Sequence, residues 1–181
     1  MIVALLLSTL KLNAIELLTK EDALKRMFLI ADNITEEKIT LTPEQIESVK
    51  KLCGGKLYAI KKPDDAVENE YIFYIGSKGG KKLGYALIET QIDKWGPLKF
   101  IILINPNSGK IENAAMMEYV DSRSRYLSER SFLKTFFGKT VNDPIELNND
   151  INAITGATVS TGVLCQIMKK TLAIYKVVYS K

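Results

Sequence analysis

The chain has 181 residues, 46% hydrophobic and 25% charged, ordinary proportions for a soluble globular protein with a sizeable core. Its net charge of +4 is spread among lysines rather than gathered in a block, which argues against nucleic-acid binding. It has no histidine, which excludes Ser-His-Asp and Cys-His active sites, His-ligated haem and most catalytic zinc sites. Chemistry is therefore left to carboxylates, hydroxyls, Cys, Lys or a cofactor brought from outside.

Met1 to Leu10 is apolar but much too short to span a bilayer. It reads either as the first strand or helix of the fold or as a short export signal. Lys11 follows the apolar run instead of preceding it, an unusual order for a signal. Thr19 to about Asn33 reads as a helix. Thr19 is placed to cap it and Asp22 to complete the box, with Ala23, Leu24, Met27, Phe28 and Ala31 on one face. A second helix starts at Thr42-Pro43-Glu44-Gln45, buries Ile46, Val49 and Cys53, and stops at Gly54-Gly55. Cys53 and Cys165 form no CxxC pair and read as two small buried apolar residues, with a single disulfide as the alternative.

The period then changes. Leu57 to Ile60 reads as a short strand and Lys61 to Glu70 as a polar loop. Tyr71 to Ile75 and Leu83 to Thr90 form an expected antiparallel hairpin around Ser77-Lys78-Gly79-Gly80. Trp95-Gly96-Pro97 breaks the chain. Leu98 to Ile104 is a central strand, Asn105 to Gly109 a turn, and Lys110 to Tyr119 the partner strand. Ser128 to Phe137 reads as a helix capped by Ser128 and ended by Gly138; Phe132, Phe136, Phe137 and Met116-Met117 read as core. After a polar connection from Val141 to Asp150, a last helix of about twenty residues carries Val163, Ile167, Leu172, Ile174, Tyr175 and Val178. Helices, hairpin-linked strands, then helices argue an α+β fold: an antiparallel twisted sheet flanked by helices.

The stretch most suggestive of function is Asn152-Ala153-Ile154-Thr155-Gly156-Ala157-Thr158-Val159-Ser160-Thr161. It is a loop running into a helix N-terminus, where free N–H groups and the helix dipole favour anions, phosphate above all. On the residues alone, Thr155, Thr158, Ser160 and Thr161 read as caps of the last helix.

That stretch resembles the attachment motif of the FMN-binding domain family, which includes flavin-carrying subunits of the sodium-translocating NADH:quinone reductase and of the Rnf complex, and the flavin domains of nitrous-oxide regulatory membrane proteins. The family signature is an acidic residue, two spacers, Ser or Thr, then Gly-Ala-Thr. Upstream, Gly84-Tyr85-Ala86, Gly96-Pro97-Leu98, Gly109-Lys110-Ile111 and Phe132-Leu133 with Phe136 and Gly138-Lys139 match family positions in order. The chain departs from the pattern at Asn152, where the family usually has an acid (Asp150 sits two residues earlier). It departs again at Asp121 and Ser124, which stand where a Glu and a Gly are usual. Losing that Gly removes easy positive φ, so a different course of this loop is expected.

The resemblance implies a site made of Thr158, as the residue that takes FMN in a phosphoester, with Asn152, Thr155, Gly156, Ala157, Val159, Ser160 and Asp121 around it. It implies FMN as cofactor, a flavin transferase for maturation, and a redox partner protein or membrane electron-transfer complex, with no nucleic acid. It also implies an extracytoplasmic location reached by an N-terminal signal. Residues 1–18 are then a possible export signal or N-terminal element, 19–83 the N-terminal helices and first strands, and 84–181 the FMN-binding core. The function implied is electron shuttling by a tethered flavin in a redox chain, more an electron-transfer flavoprotein than a stand-alone enzyme. The alternative is a flavin-binding sensor or assembly module of a membrane complex without covalent flavin; a weaker third reading is a ligand-binding domain with no flavin. Arg123, Arg125 and Arg130 read as a phosphate or partner cluster or as solvated surface. Trp95, Tyr119 and Tyr126 read as rim or core residues, with stacking on the flavin ring as the functional alternative.

Overall fold

The computed structural model describes residues 14–60 and 68–179. The expectations for Met1 to Leu10 and for most of the Lys61 to Glu70 loop lie outside the described residues. The fold is α+β. Its strands are β1 (Ile15–Glu16), β2 (Asn33–Thr40), β3 (Glu70–Lys78), β4 (Lys81–Ile92), β5 (Pro97–Ile104) and β6 (Ile111–Tyr119). They form one sheet in the order β1-β6-β5-β4-β3-β2, with every pairing antiparallel. The helices are α1 (Lys20–Met27), α2 (Pro43–Leu52), α3 (Arg130–Leu133) and α4 (Thr158–Tyr179), with 3-10 turns at Ser122–Ser128 and Lys134–Phe136.

The sheet buries both faces unequally. α2 and α4 cover the larger core, where Phe73, Phe100 and Phe136 are completely buried; each contributes on the order of 2–3 kcal/mol of transfer free energy. On the other face α1 packs Ala23, Met27 and Phe28 against Tyr74, Ala86, Ile101 and Met117. Met116 and Met117 thus serve opposite faces, as strand alternation requires.

α4 is apolar nearly all round and is buried accordingly from Ser160 to Tyr175, with Gly162, Gln166 and Lys169 only partly covered. Its 22 residues span about 33 Å, comparable to the roughly 40 Å of β4, and it runs antiparallel along that strand. Three contacts set the alignment. Ser160 Oγ meets Asp93 Oδ2 just beyond the end of β4. Lys170 Nζ meets Glu89 Oε1 at 2.6 Å. Tyr175 packs edge-on and Tyr179 tilted against Tyr85, with centroids 5.3 and 4.4 Å away. The Lys170 ammonium also faces the rings of Tyr58 and Tyr71 at 4.5 and 5.2 Å. Burial alone would lower its pKa, but Glu89 and the two tyrosines oppose burial and the net shift is upward.

Several expectations need correction. The first helix ends at Met27, not near Asn33: Phe28 leaves the helix to pack on Gly76, where even a Cβ would lie 2.2 Å from its ring. Asn33–Thr40 is a strand where the expectations place none, because this edge strand buries no residue fully and carries no clear alternation. Leu57 to Ile60 is not a strand. The Gln91 side chain accepts from Ala59 N and donates to Leu57 O, taking the place of a ladder partner. The Ser128 to Phe137 helix shrinks to α3 and a 3-10 turn. Ser128 donates to Arg125 O instead of capping, and Glu129 holds the cap position without a side-chain bond.

The α2 start behaves as its sequence says, with a reciprocal capping box between Thr42 and Gln45. At α1, Thr19 accepts from Asp22 N, while the Asp22 carboxylate accepts from the Thr19 hydroxyl rather than from the backbone. Cys53 and Cys165 are free and buried.

Candidate functional site

Three chain segments meet at the N-terminus of α4: the β4–β5 connection, the 3-10 turn after β6, and the loop from Leu147 to Ala157. Ala157 N donates to Ile154 O, closing a turn with Thr155 and Gly156 at its centre. Gly156 has φ +81°, the value the third position of a type II turn requires and one that L side chains rarely adopt. The motif's glycine is therefore a backbone requirement. A Cβ there would have room, its nearest neighbour being Arg123 Cδ at 3.7 Å.

The turn delivers Ala157 to the cap position, where it is buried, and Thr158 to the first helical position, where it is exposed. Alanine cannot cap a helix. Nor do the neighbouring hydroxyls, so the capping expectation is overturned. Ser160 Oγ donates to Asp93 at 2.7 Å. Thr161 Oγ1 donates back to Ala157 O and accepts from Ile154 N. Among the described residues, no side chain accepts from the N–H groups of Thr158, Val159 or Ser160, and the Thr158 hydroxyl makes no hydrogen bond. A 22-residue helix thus presents uncapped donors and the positive end of its dipole beside a free hydroxyl, the environment a phosphate group seeks.

Asp93 organises this end of the molecule, though it is absent from the residues expected at the site. Its Oδ1 accepts from Trp95 N at 2.7 Å and Gly96 N at 3.0 Å, closing the connection between β4 and β5. Its Oδ2 takes the Ser160 hydroxyl. Ser160 Oγ also lies 2.8 Å from Ser124 Oγ. Ser124 is fully buried, so the residue at the family's glycine position spends its extra hydroxyl joining the 3-10 turn to α4. The Asp-x-x-Gly pattern at Asp93 is the local signal for a turn; its link to Ser160 has none.

Asp121 caps the 3-10 turn by accepting from Arg123 N, and it pairs with Arg123 Nε at 3.1 Å. Arg123 lies 5.4 Å over the ring of Trp95, and Lys94 lies 4.9 Å over the same ring. Trp95 and Val159 remain 42% and 48% exposed beside the turn. Of the three expected arginines, Arg123 is the one that packs against the loop. Arg125 lies over Tyr126, and Arg130 bonds Asn113 and covers Phe137. Tyr119 is buried, and Tyr126 is exposed.

Asn152 is exposed and has no hydrogen bond among the described residues. Asp150 does not stand in for the missing acid. Its carboxylate accepts from Lys139 Nζ at 2.7 Å, Ile145 N at 3.1 Å and Glu146 N at 2.7 Å. It thereby clamps a loop in which Ile145 and Asn148 both take positive φ. Burial pushes the Asp150 pKa up, the bonds from Lys139, Glu146 and Ile145 pull it down, and the net shift is downward.

Residues 93–173 match the family model of the FMN-binding domain. These residues are an FMN-binding domain. The match opens on Asp93 and spans every residue of the site described above. No curated protein matches the chain. The protein is thus a flavoprotein with FMN as its cofactor. The site residues suit that cofactor: uncapped N–H groups and Arg123 for a phosphate, and the exposed Trp95 surface beside them.

Proposed function

We propose that this flavoprotein carries FMN on Thr158 and serves as an extracytoplasmic electron carrier. The observation that carries the reading is the free, exposed Thr158 hydroxyl at an uncapped helix N-terminus. Thr158 supplies the oxygen that forms a phosphoester with the FMN phosphorus of FAD. The pyrophosphate bond breaks, AMP leaves, and the hydroxyl proton is lost. A separate flavin transferase performs this maturation; the turn at Thr155-Gly156 presents the hydroxyl with little bulk around it. The helix N–H groups and Arg123 balance the phosphate charge. Bound FMN supplies the electron chemistry, and the chain, lacking histidine, positions it without acid–base groups of its own. A covalent tether keeps the cofactor with a protein outside the cytoplasm, where lost FMN is not replaced. Electrons pass to a redox partner protein or a membrane complex.

One observation favours a second reading, a flavin-binding sensor or assembly module without covalent FMN. Asn152 offers no carboxylate to a transferase, and Asp150 is committed elsewhere. Co-expression with a flavin transferase, followed by intact-mass measurement of the wild type, Thr158→Ala and Asn152→Asp, separates the two. An added FMN mass in the wild type that Thr158→Ala abolishes supports the first reading, with Asn152→Asp loading faster. Unmodified protein that still binds FMN reversibly supports the second.

A further inference from the structure

The molecule's other pole holds a feature unrelated to the flavin loop. α1 and β2 are joined by a turn closed by Ala31 N donating to Phe28 O at 3.1 Å. Its two central residues are Leu29 and Ile30, which are 83% and 63% exposed. Such positions normally go to Gly, Pro, Asn, Asp or Ser, and two large aliphatics at the corner of a turn gain nothing from water.

The turn is held firmly in place. The Phe28 ring is buried against Gly76. Asp32 N donates to Ser77 O at 2.9 Å, and the Asp32 carboxylate accepts from Gly79 N at 2.8 Å. These bonds fasten it to the β3–β4 hairpin, whose Gly79-Gly80 corner lies between Lys78 and Lys81.

Four cations therefore share this end with the aliphatic pair: Lys25 and Arg26 in the last turn of α1, and Lys78 and Lys81 on the hairpin. All four are exposed, and among the described residues none is in an ion pair. Of the nearby carboxylates, Asp32 is bonded to Gly79, while Glu21 and Asp22 lie in the first turn of α1, one turn back from Lys25 and Arg26, with which they form no ion pair. Exposed aliphatics at a rigid tip, ringed by unpaired cations, form the pattern of a surface that dips into an anionic bilayer. Among the described residues no helix is long and apolar enough to cross a membrane.

We propose that the Leu29-Ile30 tip, with Lys25, Arg26, Lys78 and Lys81, docks the protein on anionic lipid membranes. The aliphatic pair enters the headgroup boundary while the cations meet lipid phosphates. β4 separates the tip from Asp93, so docking holds the Thr158 loop about 35 Å from the lipid surface, facing outward. The proposal stands without the phosphoester on Thr158.

The test is co-sedimentation of the full chain with vesicles of phosphatidylcholine alone or mixed with phosphatidylglycerol, at low and high salt. The expected result is binding to the mixed vesicles that weakens with salt. Leu29→Ser with Ile30→Ser should weaken it about tenfold or more, and Lys78→Gln with Lys81→Gln about ten- to thirtyfold, with thermal unfolding unchanged in both. No binding to any vesicle at low salt overturns the proposal. So does wild-type binding that neither pair of substitutions alters, because the lipid contact would then lie elsewhere on the chain. Concentration-dependent self-association that the serine pair abolishes, without vesicle binding, would assign the tip to a second copy instead.

Discussion

Ser160 Oγ donates to Asp93 Oδ2 at 2.7 Å and so ties the N-terminus of α4 to the connection between β4 and β5. Both groups are buried. With Ser124 they form a polar chain under the flavin loop, and what holds Thr158 in place is this chain rather than a helix cap.

Removing one member should expose the dependence. Asp93→Ala strands the Ser160 hydroxyl and the Trp95 and Gly96 N–H groups, so it should cost about 1–3 kcal/mol or more in urea unfolding. Asp93→Asn keeps an acceptor for the turn and should cost less. Equal stability of Asp93→Ala and the wild type would show that the chain contributes nothing to holding α4.

The buried pair further along α4 gives a second test. Lys170→Met removes the cation that faces the buried Glu89 carboxyl and should destabilise by about 3–5 kcal/mol. Adding Glu89→Leu should recover most of that loss, because a buried ion pair is readily replaced by apolar packing. A double variant as unstable as the single would mean that Lys170's contacts with Tyr58, Tyr71 and Glu68, not the stranded Glu89 carboxyl, set the cost.

The cysteines should be inert. Burial pushes Cys53 up to about 11 and Cys165 up to about 12, so neither is a thiolate near neutral pH. Both thiols should react with a disulfide reagent at pH 8 only after denaturation. Reaction in the native state at the denatured rate would contradict their burial.

Acid should loosen the loop before Asn152. Asp150 titrates below its ordinary 3.8 in the folded state. Its contribution is therefore complete above the unfolded pKa and is lost as pH falls through the folded one. Asp150→Asn should be less stable than the wild type at pH 7, and the gap should narrow below about pH 4. A gap constant from pH 7 to pH 2 would mean that the carboxylate's charge plays no part.

How much of this was legible depended on sequence distance. The Thr42 capping box, the Gly79-Gly80 corner and the Gly156 turn are set by neighbours within four residues, and the chain displays them openly. The strand at Asn33–Thr40 carries little pattern because it lies at an edge and buries almost nothing. Leu57 to Ile60 has strand composition, but a side chain from β4 takes its hydrogen bonds. The flavin loop was readable as a motif, whereas the reason its helix needs no capping hydroxyl was not. That reason lies in Asp93, 67 residues from Ser160, and in a serine standing where a glycine is usual.

The most direct measurement is peptide mapping of the protein after exposure to a flavin transferase and FAD. Trypsin should release the segment from Thr140 to Lys169 with one FMN attached, and fragmentation should place it on Thr158. An adduct on Thr155, Ser160 or Thr161, or a segment that stays unmodified while a control substrate is loaded, would contradict the assignment.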